Sequence, residues 1–242
     1  MKFHDLIAAK TKSRTEYSIL NISTNLVGYA LNTILGFVCR IVFVQCLSAD
    51  YLGVNGLFTN ILTMLSLAEL GVGGAIVYAL YKPLAENDEE KIASLMKLYS
   101  KAYRMIGLLI AVIGLALMPF LKLVIREQPS ISESIYLLYV INLFNTASSY
   151  FFSYRSSLLI AAQRNYIVSG ISYTVAVVQS ILQMVFLLAF RNYIGYLLIQ
   201  TTGTFLFNVI VSCVAVKQFP YIREKDVKPL SKEERHVLFS NV

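Results

Sequence analysis

The chain contains six apolar runs, each long enough for a helix to cross the hydrocarbon layer of a membrane, which takes roughly 20 residues. The runs lie at about Tyr17–Cys46, Leu52–Tyr81, Ser100–Ile125, Ile135–Ala161, Tyr166–Phe190 and Ile194–Val216. Only 14% of the 242 residues are charged, against roughly 25% in soluble domains. The runs also lack the alternation that marks the strands of a membrane barrel. We therefore predict an all-α membrane protein, a bundle of six transmembrane helices.

The spans divide the chain into three parts. Residues 1–16 form an amphipathic, basic amino-terminal segment, residues 17–216 a six-helix transmembrane lobe and residues 217–242 a basic tail. Lysine and arginine are concentrated in both end segments and in the loops on one side of the lobe. The opposite loops carry three, Lys122, Arg126 and Arg191. Because cytoplasmic loops are enriched in these residues, we expect both termini to be cytoplasmic. Ser231 and Glu234 have the spacing of a capping box, which predicts a short helix in the tail.

The second span carries a carboxylate inside its apolar run. Glu69 is followed by three glycines, Gly71, Gly73 and Gly74, and the helix is predicted to break at Lys82-Pro83. A charge at the centre of a membrane helix costs roughly 2.5–3.5 kcal/mol on insertion scales, so such residues commonly have a function. Glu69 is therefore a candidate for a coupling cation or proton, or for an ion pair. The glycines predict a hinge or a close-packing site.

Polar residues follow one side of five of the six spans. In the first span, Asn21, Asn25, Asn32 and Arg40 project within about 60° of one line. The other stripes include Asn55, Thr59, Thr63 and Ser66 in the second span, Asn142 and Ser149 in the fourth, Gln179 and Gln183 in the fifth, and Asn208 in the sixth. Such residues either hold helices together in lipid or line a hydrated cavity. Five stripes together favour a bundle with a polar interior.

Several chemistries have no support in the sequence. The cysteines, Cys39, Cys46 and Cys213, lack the spacing of a metal site or a disulfide set, and the histidines, His4 and His236, lie near opposite ends of the chain. We expect no enzyme activity, no metal and no cofactor. The net charge of +7 follows from the basic loops and predicts no nucleic-acid partner, because no basic patch is interleaved with aromatic residues.

Four stretches carry a family resemblance. LGVNGLF at 52–58, LAELGVG at 67–73, the run 75–83 and the turn AAQRNY at 161–166 resemble the amino-terminal half of polysaccharide flippases of the Wzx type, in the MATE-like multidrug/oligosaccharidyl-lipid/polysaccharide exporter superfamily. The resemblance implies two six-helix lobes around a central cavity in the inner (cytoplasmic) cell membrane. This chain would supply one lobe, with residues 217–242 as the linker to a second lobe. That lobe, or a second copy of the chain, would be a partner.

The resemblance also implies a cargo, and the polar residues of the spans are candidates to contact it. The cargo is a polyprenyl-pyrophosphate-linked oligosaccharide, the tail of which stays in the bilayer, and a glycan polymerase is a further partner. Arg40 would meet a phosphate or a sugar acid, with snorkelling to the interface as the alternative. Asn21, Asn25, Asn32 and Gln179 are candidate sugar contacts. Arg155 is a candidate partner for Glu69.

Three other functions fit parts of the sequence. A cation-coupled multidrug exporter of the same superfamily would prefer acidic and aromatic cavity walls to Arg40 and asparagines. A non-transporting membrane protein that recruits partners for polysaccharide assembly would need neither Arg40 nor Glu69. A membrane glycosyltransferase or polymerase would need an acidic pair on an outer loop, which the sequence does not offer.

Overall fold

The computed structural model describes residues 14–66, 69, 71–121, 125 and 129–223, and these form an all-α bundle. The seven α-helices of this part are α1 (Arg14–Cys46), α2 (Ala49–Ser66), α3 (Val72–Glu86), α4 (Glu89–Leu117), α5 (Ile135–Ala161), α6 (Asn165–Phe190) and α7 (Tyr193–Gln218). Short 3-10 segments follow α4 at Met118–Phe120 and α7 at Pro220–Arg223. The predicted helix near Ser231, the amino-terminal basic segment up to Ser13, and Lys122 and Arg126 lie outside the described residues.

Five of these helices are long and apolar enough to cross a membrane. They are α1, α4 with the 3-10 segment that follows it, α5, α6 and α7. The predicted spans at Ile135–Ala161, Tyr166–Phe190 and Ile194–Val216 agree with α5, α6 and α7 to within two residues at each end. The chain thus has the architecture of a multi-pass membrane protein, with five candidate spans in its described part.

The prediction of one continuous second span, Leu52–Tyr81, is wrong. The structure divides this region between α2, which ends at Ser66, and α3, which begins at Val72. Gly71 has φ 98°, a left-handed backbone conformation that is open to glycine but strained for other residues. Neither half is among the five long apolar spans. The glycine-rich sequence therefore interrupts the helix rather than only permitting close packing.

The predicted break at Lys82-Pro83 is also wrong, as is the start of the third span at Ser100. Helix α3 continues through Pro83 to Glu86 and ends at Asn87, which has φ 55°. Helix α4 already begins at Glu89, because the Asp88 carboxylate accepts a hydrogen bond from the backbone N–H of Lys91 (2.9 Å). An aspartate at this position satisfies one of the free N–H groups of the first turn. The helix start is therefore fixed by a polar cap, well before the apolar run.

Helices α4 and α5 pack closely in antiparallel orientation. A Cβ atom added to Gly107 of α4 would lie 3.0 Å from the carbonyl oxygen of Ala147 and 3.1 Å from Cβ of Tyr150. Further along α4, the carbonyl oxygen of Gly114 accepts a hydrogen bond from the Tyr139 hydroxyl (3.0 Å). Small residues allow this approach in membranes, where helices associate through packing rather than through a hydrophobic driving force. Helices α3 and α7 complete this core against α5.

Helix α1 is attached differently, because it packs almost entirely on α6. The two helices run parallel, and the ring of Tyr173 on α6 lies directly over Gly28. The remaining sides of α1 carry exposed apolar residues such as Ile22, Leu26 and Phe37. Such a surface suits lipid or another membrane helix.

A polar contact ties the α5–α6 turn to the end of α7. The Arg164 guanidinium donates to the side-chain oxygen of Gln218 (2.6 Å) and lies over the ring of Phe219, 5.5 Å from its centre. Tyr221 follows in the 3-10 segment, which packs on α4. Burial raises the pKa of Tyr221 to about 12, and the nearby Glu89 carboxylate acts in the same direction. The Tyr221 hydroxyl is therefore neutral at physiological pH and stays a hydrogen-bond donor.

We expect Gly107→Ala to lower the thermal stability of the protein in detergent. The added methyl group would meet the backbone of α5, and overpacking typically costs about 1–3 kcal/mol. That exceeds the roughly 0.5–1 kcal/mol that alanine gains over glycine inside a helix. Gly53→Ala in α2 is the control, because a Cβ atom there has nothing within 4 Å. Size-exclusion chromatography after stepwise heating measures the surviving fraction, and equal survival of the two variants would contradict the close α4–α5 contact.

Candidate binding cavity

A cavity of about 350 Å³ lies between α1, α2, α6 and α7. It is situated towards the end of the bundle where α1 leads into α2 and α6 into α7. Its polar wall consists of Arg40 from α1, Asn55, Thr59 and Asn60 from α2, and Ser180 and Gln183 from α6. Within the described part of the chain, Arg40 is the one charged residue of this wall. The cavity therefore combines a single cation with amide and hydroxyl groups.

Three aromatic rings, those of Phe43, Tyr193 and Tyr196, pack together beside the cavity and form its aromatic floor. Phe43 lies edge-on to Tyr193 and to Tyr196, with ring centres 5.7 Å and 5.1 Å apart, and the two tyrosine rings are stacked. Tyr193 is fully buried, and its hydroxyl donates to the side-chain oxygen of Asn55 (2.9 Å). This bond turns the NH2 group of Asn55 away from Tyr193, so that it remains available as a donor. The aromatic floor thereby fixes the orientation of one polar wall residue.

The same tyrosine is connected to a loop at this end of the bundle. The Tyr51 ring packs edge-on against Tyr193 with centres 5.2 Å apart, and the Tyr51 hydroxyl donates to the carboxylate of Glu133. Glu133 also accepts from the Ser132 hydroxyl (2.9 Å). These contacts join the loop before α5 to the start of α2 and to the floor of the cavity.

The arrangement of donors determines what the cavity can hold. The Arg40 guanidinium is exposed and forms no ion pair with any described residue. A guanidinium presents five N–H donors in a planar fork that matches phosphate and carboxylate oxygens. The amide group of Gln183 is already committed, because its nitrogen donates to the carbonyl oxygen of Tyr196 (3.2 Å). The cavity is thus suited to an anionic group flanked by hydroxyls.

The polar stripe of α1 divides between two environments. Near the start of the helix, the Asn21 side-chain oxygen accepts from the backbone N–H of Tyr166 (2.6 Å), and that of Asn25 accepts from the Ser169 hydroxyl (2.9 Å). Asn21 therefore caps the start of α6, and both asparagines lie in the contact between α1 and α6. Only the far end of the stripe, at Gly36 and Arg40, borders the cavity.

Three other predicted site residues lie away from Arg40. Asn32 is half-buried on α1 and does not line the cavity. Gln179 packs against Gly203 of α7 and borders a second, largely apolar groove of about 330 Å³ between α6 and α7. The Arg155 guanidinium donates to the neighbouring Tyr154 hydroxyl (3.1 Å). In the described part of the structure Arg155 forms no ion pair with Glu69.

Glu69 lies in a separate cluster at the interruption between α2 and α3. Its carboxylate accepts a hydrogen bond from the Tyr103 hydroxyl of α4 (2.7 Å). A Cβ atom on Gly73 would lie 3.1 Å from that hydroxyl and 3.7 Å from the carboxylate, whereas one on Gly74 would have nothing within 4 Å. The three glycines thus differ: Gly71 provides the left-handed turn, Gly73 makes room for Tyr103, and Gly74 does neither.

Sequence reasoning singled out Arg40 as a candidate contact, and it placed Asn55, Thr59 and Gln183 of the cavity wall on polar stripes without assigning them to the site of Arg40. Asn55 and Thr59 lie on the polar line of the second span, and that line is the signal that points to them. Asn60 follows Thr59 in the sequence and does not belong to this line. Tyr193 and Tyr196 have no local pattern that sets them apart from the other tyrosines, because their role depends on the contact between α2 and α7.

Comparisons of the chain with models of known protein families, with curated proteins and with solved structures found no match.

We expect a thiol placed in the cavity to react preferentially with anions. In a background that lacks the three native cysteines, Asn60→Cys should react faster with a negatively charged methanethiosulfonate than with a positively charged one, relative to free cysteine. A unit charge several ångströms away contributes about 0.5–1 kcal/mol in a water-filled site, so the preference should be roughly tenfold. Combining Asn60→Cys with Arg40→Gln should remove the preference. Combining it with Arg104→Gln, on the exposed side of α4, should leave the preference unchanged. A preference that survives Arg40→Gln would contradict the electrostatic role of Arg40.

Proposed function

We propose that this chain forms one lobe of a transporter that moves a lipid-linked oligosaccharide across the cell membrane by alternating access. The observation that supports this proposal is the cavity in which Arg40, free of any acidic partner among the described residues, faces the amides and hydroxyls of α2 and α6. The diphosphate of such a lipid would bind the guanidinium, and the first sugar would bind the neighbouring polar groups. The resemblance in sequence to polysaccharide flippases points to the same cargo.

The physical problem of this transport is the polar head group. An unpaired hydroxyl or amide costs several kcal/mol in a medium without hydrogen-bond partners, so the head must travel in a polar cavity. The apolar tail has no such need and can remain in lipid beside the exposed apolar faces of α1 and α6, which include Leu26, Phe37 and Val185. The cavity lies between helices rather than inside a closed ring, which suits a cargo that is half polar and half apolar.

The size of the cavity bears on how the lobe would work. About 350 Å³ is near the lower end of the range for ligand pockets, so it would hold the diphosphate and one sugar rather than a whole oligosaccharide. A second lobe or a second copy of the chain would enclose the remainder and supply the opposing half for alternating access. This proposal includes an inner-membrane location with both termini in the cytoplasm.

We expect Arg40→Ala to weaken binding of undecaprenyl pyrophosphate to the purified chain in lipid nanodiscs. Hydrogen bonds to charged groups contribute about 1.5–3 kcal/mol, so the affinity should fall roughly 10- to 100-fold. Arg40→Lys should retain part of the affinity, because it keeps the charge but not the planar fork. Arg104→Ala should bind like the unmodified protein, since Arg104 is exposed on α4 outside the cavity.

The same binding assay separates the competing functions. A multidrug exporter should bind an organic cation such as tetraphenylphosphonium more tightly than undecaprenyl pyrophosphate, and Arg40→Ala should strengthen that binding. A protein that only recruits partners should bind neither probe. Either result, or equal affinities of the unmodified protein and Arg40→Ala for the pyrophosphate lipid, would overturn the proposed function.

A further inference from the structure

Two side-chain amides of the cavity wall are held in opposite orientations by residues of α7. Gln183 of α6 is only 3% exposed and borders the cavity, and its NH2 group donates to the backbone carbonyl oxygen of Tyr196 (3.2 Å). Because a carbonyl oxygen can only accept a hydrogen bond, the NH2 end of the amide must be the end that faces Tyr196. The side-chain oxygen of Gln183 then has no partner among the described residues, and it is the group that Gln183 offers to the cavity.

Asn55 of α2 is held the other way round. Its side-chain oxygen accepts from the Tyr193 hydroxyl (2.9 Å), so it offers its NH2 group to the cavity. Tyr193 and Tyr196 both lie in the first turn of α7, and their rings are stacked. A single turn of α7 therefore orients one amide of the cavity as an acceptor and the other as a donor.

Thr59 supplies a second acceptor in the wall. Its hydroxyl donates to the backbone carbonyl oxygen of Asn55 in the same helix (2.8 Å). This bond uses the one hydrogen of the hydroxyl, so the oxygen can only accept from a group in the cavity. Arg40 and Asn55 thus present donors to the cavity. Gln183 and Thr59 present acceptors.

Arg40, Gln183 and Asn55 lie at one level of the bundle. Arg40 is six residues before the end of α1 and Gln183 is seven before the end of α6, which at roughly 1.5 Å per residue places them about 9 and about 10 Å from these ends. Asn55 is six residues after the start of α2, again about 9 Å. These helix ends lie on the same side of the bundle, where α1 leads into α2 and α6 into α7. One ligand in a cavity of about 350 Å³ can therefore contact all three residues.

We propose that Gln183 and Asn55 determine which ligand the cavity accepts, and that this ligand is a sugar phosphate with a hydroxyl or N–H donor held against the Gln183 oxygen. The ionised phosphate offers only acceptors and binds the donors of Arg40 and Asn55. A sugar hydroxyl can donate and binds Gln183. A sugar without a donor at that place leaves the buried Gln183 oxygen unpaired, which is the costly way to lose a hydrogen bond. That the phosphate is joined to a sugar rests on the proposed function, whereas the orientations of the two amides do not.

The test replaces the hydroxyls of a soluble probe one at a time. Glucose 1-phosphate is compared with its monofluorinated analogues, in which each remaining hydroxyl in turn is replaced by fluorine, an atom of similar size without a hydrogen to donate. Fluorine NMR titrations on the chain in phosphatidylcholine nanodiscs measure the affinity of each analogue, and displacement of one analogue measures that of glucose 1-phosphate. We expect at least one analogue to bind about 3- to 10-fold more weakly than glucose 1-phosphate, the effect of one hydrogen bond.

Three variants assign the difference. Gln183→Met removes the amide and keeps an unbranched side chain, so it should bind the weakest analogue and glucose 1-phosphate equally well. Gln179→Met is the matched control, because Gln179 lies one turn earlier on α6 but borders the other groove; it should discriminate like the unmodified protein. Tyr193→Phe releases the Asn55 amide. It should weaken the binding of all probes by a common factor of about 3, without changing their order.

Each result decides the proposal. Equal affinities of the unmodified protein for all probes would overturn it, as would the absence of any binding. A difference that persists in Gln183→Met, or that is lost in Gln179→Met, would assign the contact to another residue. Unchanged affinities in Tyr193→Phe would contradict the part assigned to Asn55. If Gln183→Met does not give a monodisperse protein, Gln183→Asn takes its place with the same expectation, since it withdraws the oxygen by one bond.

The proposed function fails by a different result. It is overturned if the chain does not bind undecaprenyl pyrophosphate in the assay described above. A chain that fails in that assay but discriminates among the sugar phosphates through Gln183 would keep the present inference.

Discussion

In a membrane interior, every polar group of the protein has to find its hydrogen-bond partner within the protein or in a water-filled cavity. The helices meet this constraint largely by themselves. Serine and threonine side chains along the spans donate to the carbonyl oxygen four residues earlier in the same helix, as Thr33, Thr59, Ser66 and Thr201 do. Asn142 and Asn208 use their amide groups in the same way. Most side chains of the polar stripes therefore have a hydrogen-bond partner in their own helix, and they need neither water nor a ligand for this purpose.

Two candidate sites contain polar groups that are not satisfied in this way. The guanidinium of Arg40 and the amide NH2 of Asn55 have no such local acceptor in the described structure, and both border the same cavity. Glu69 lies at the interruption between α2 and α3 and accepts its hydrogen bond from Tyr103 of α4. Asn21 and Asn25 also bond to another helix, but their partners on α6 close that contact. Arg40 and Asn55 differ from them because their free donors border a cavity.

The sequence predicts the long helices well because their ends are local features. Asn192, for example, accepts from the backbone N–H of Gly195 (2.8 Å) and caps α7. The second span is mispredicted because its apolar composition conceals Gly71, which has a left-handed backbone conformation. Tyr103 of another helix fills the space beside Gly73, two residues further along, and a helix in isolation does not reveal this contact. The sugar-contact predictions for Asn21 and Asn25 rest on helical projection alone. Projection places them correctly on one line with Arg40, but it cannot show that α6 covers that line as far as Gly28.

The contact between Glu133 and Tyr51 has a consequence for how such a protein diverges. Through Tyr193 it joins a surface loop to Asn55 in the cavity wall. Loops of membrane proteins accumulate substitutions more readily than buried helices. A change at Glu133 would loosen Tyr51 and alter the set of orientations open to Asn55, without touching any residue of the cavity. If the cavity binds the proposed ligand, lineages acquire new ligand preferences in this way through the loop, while the residues of the cavity wall stay the same.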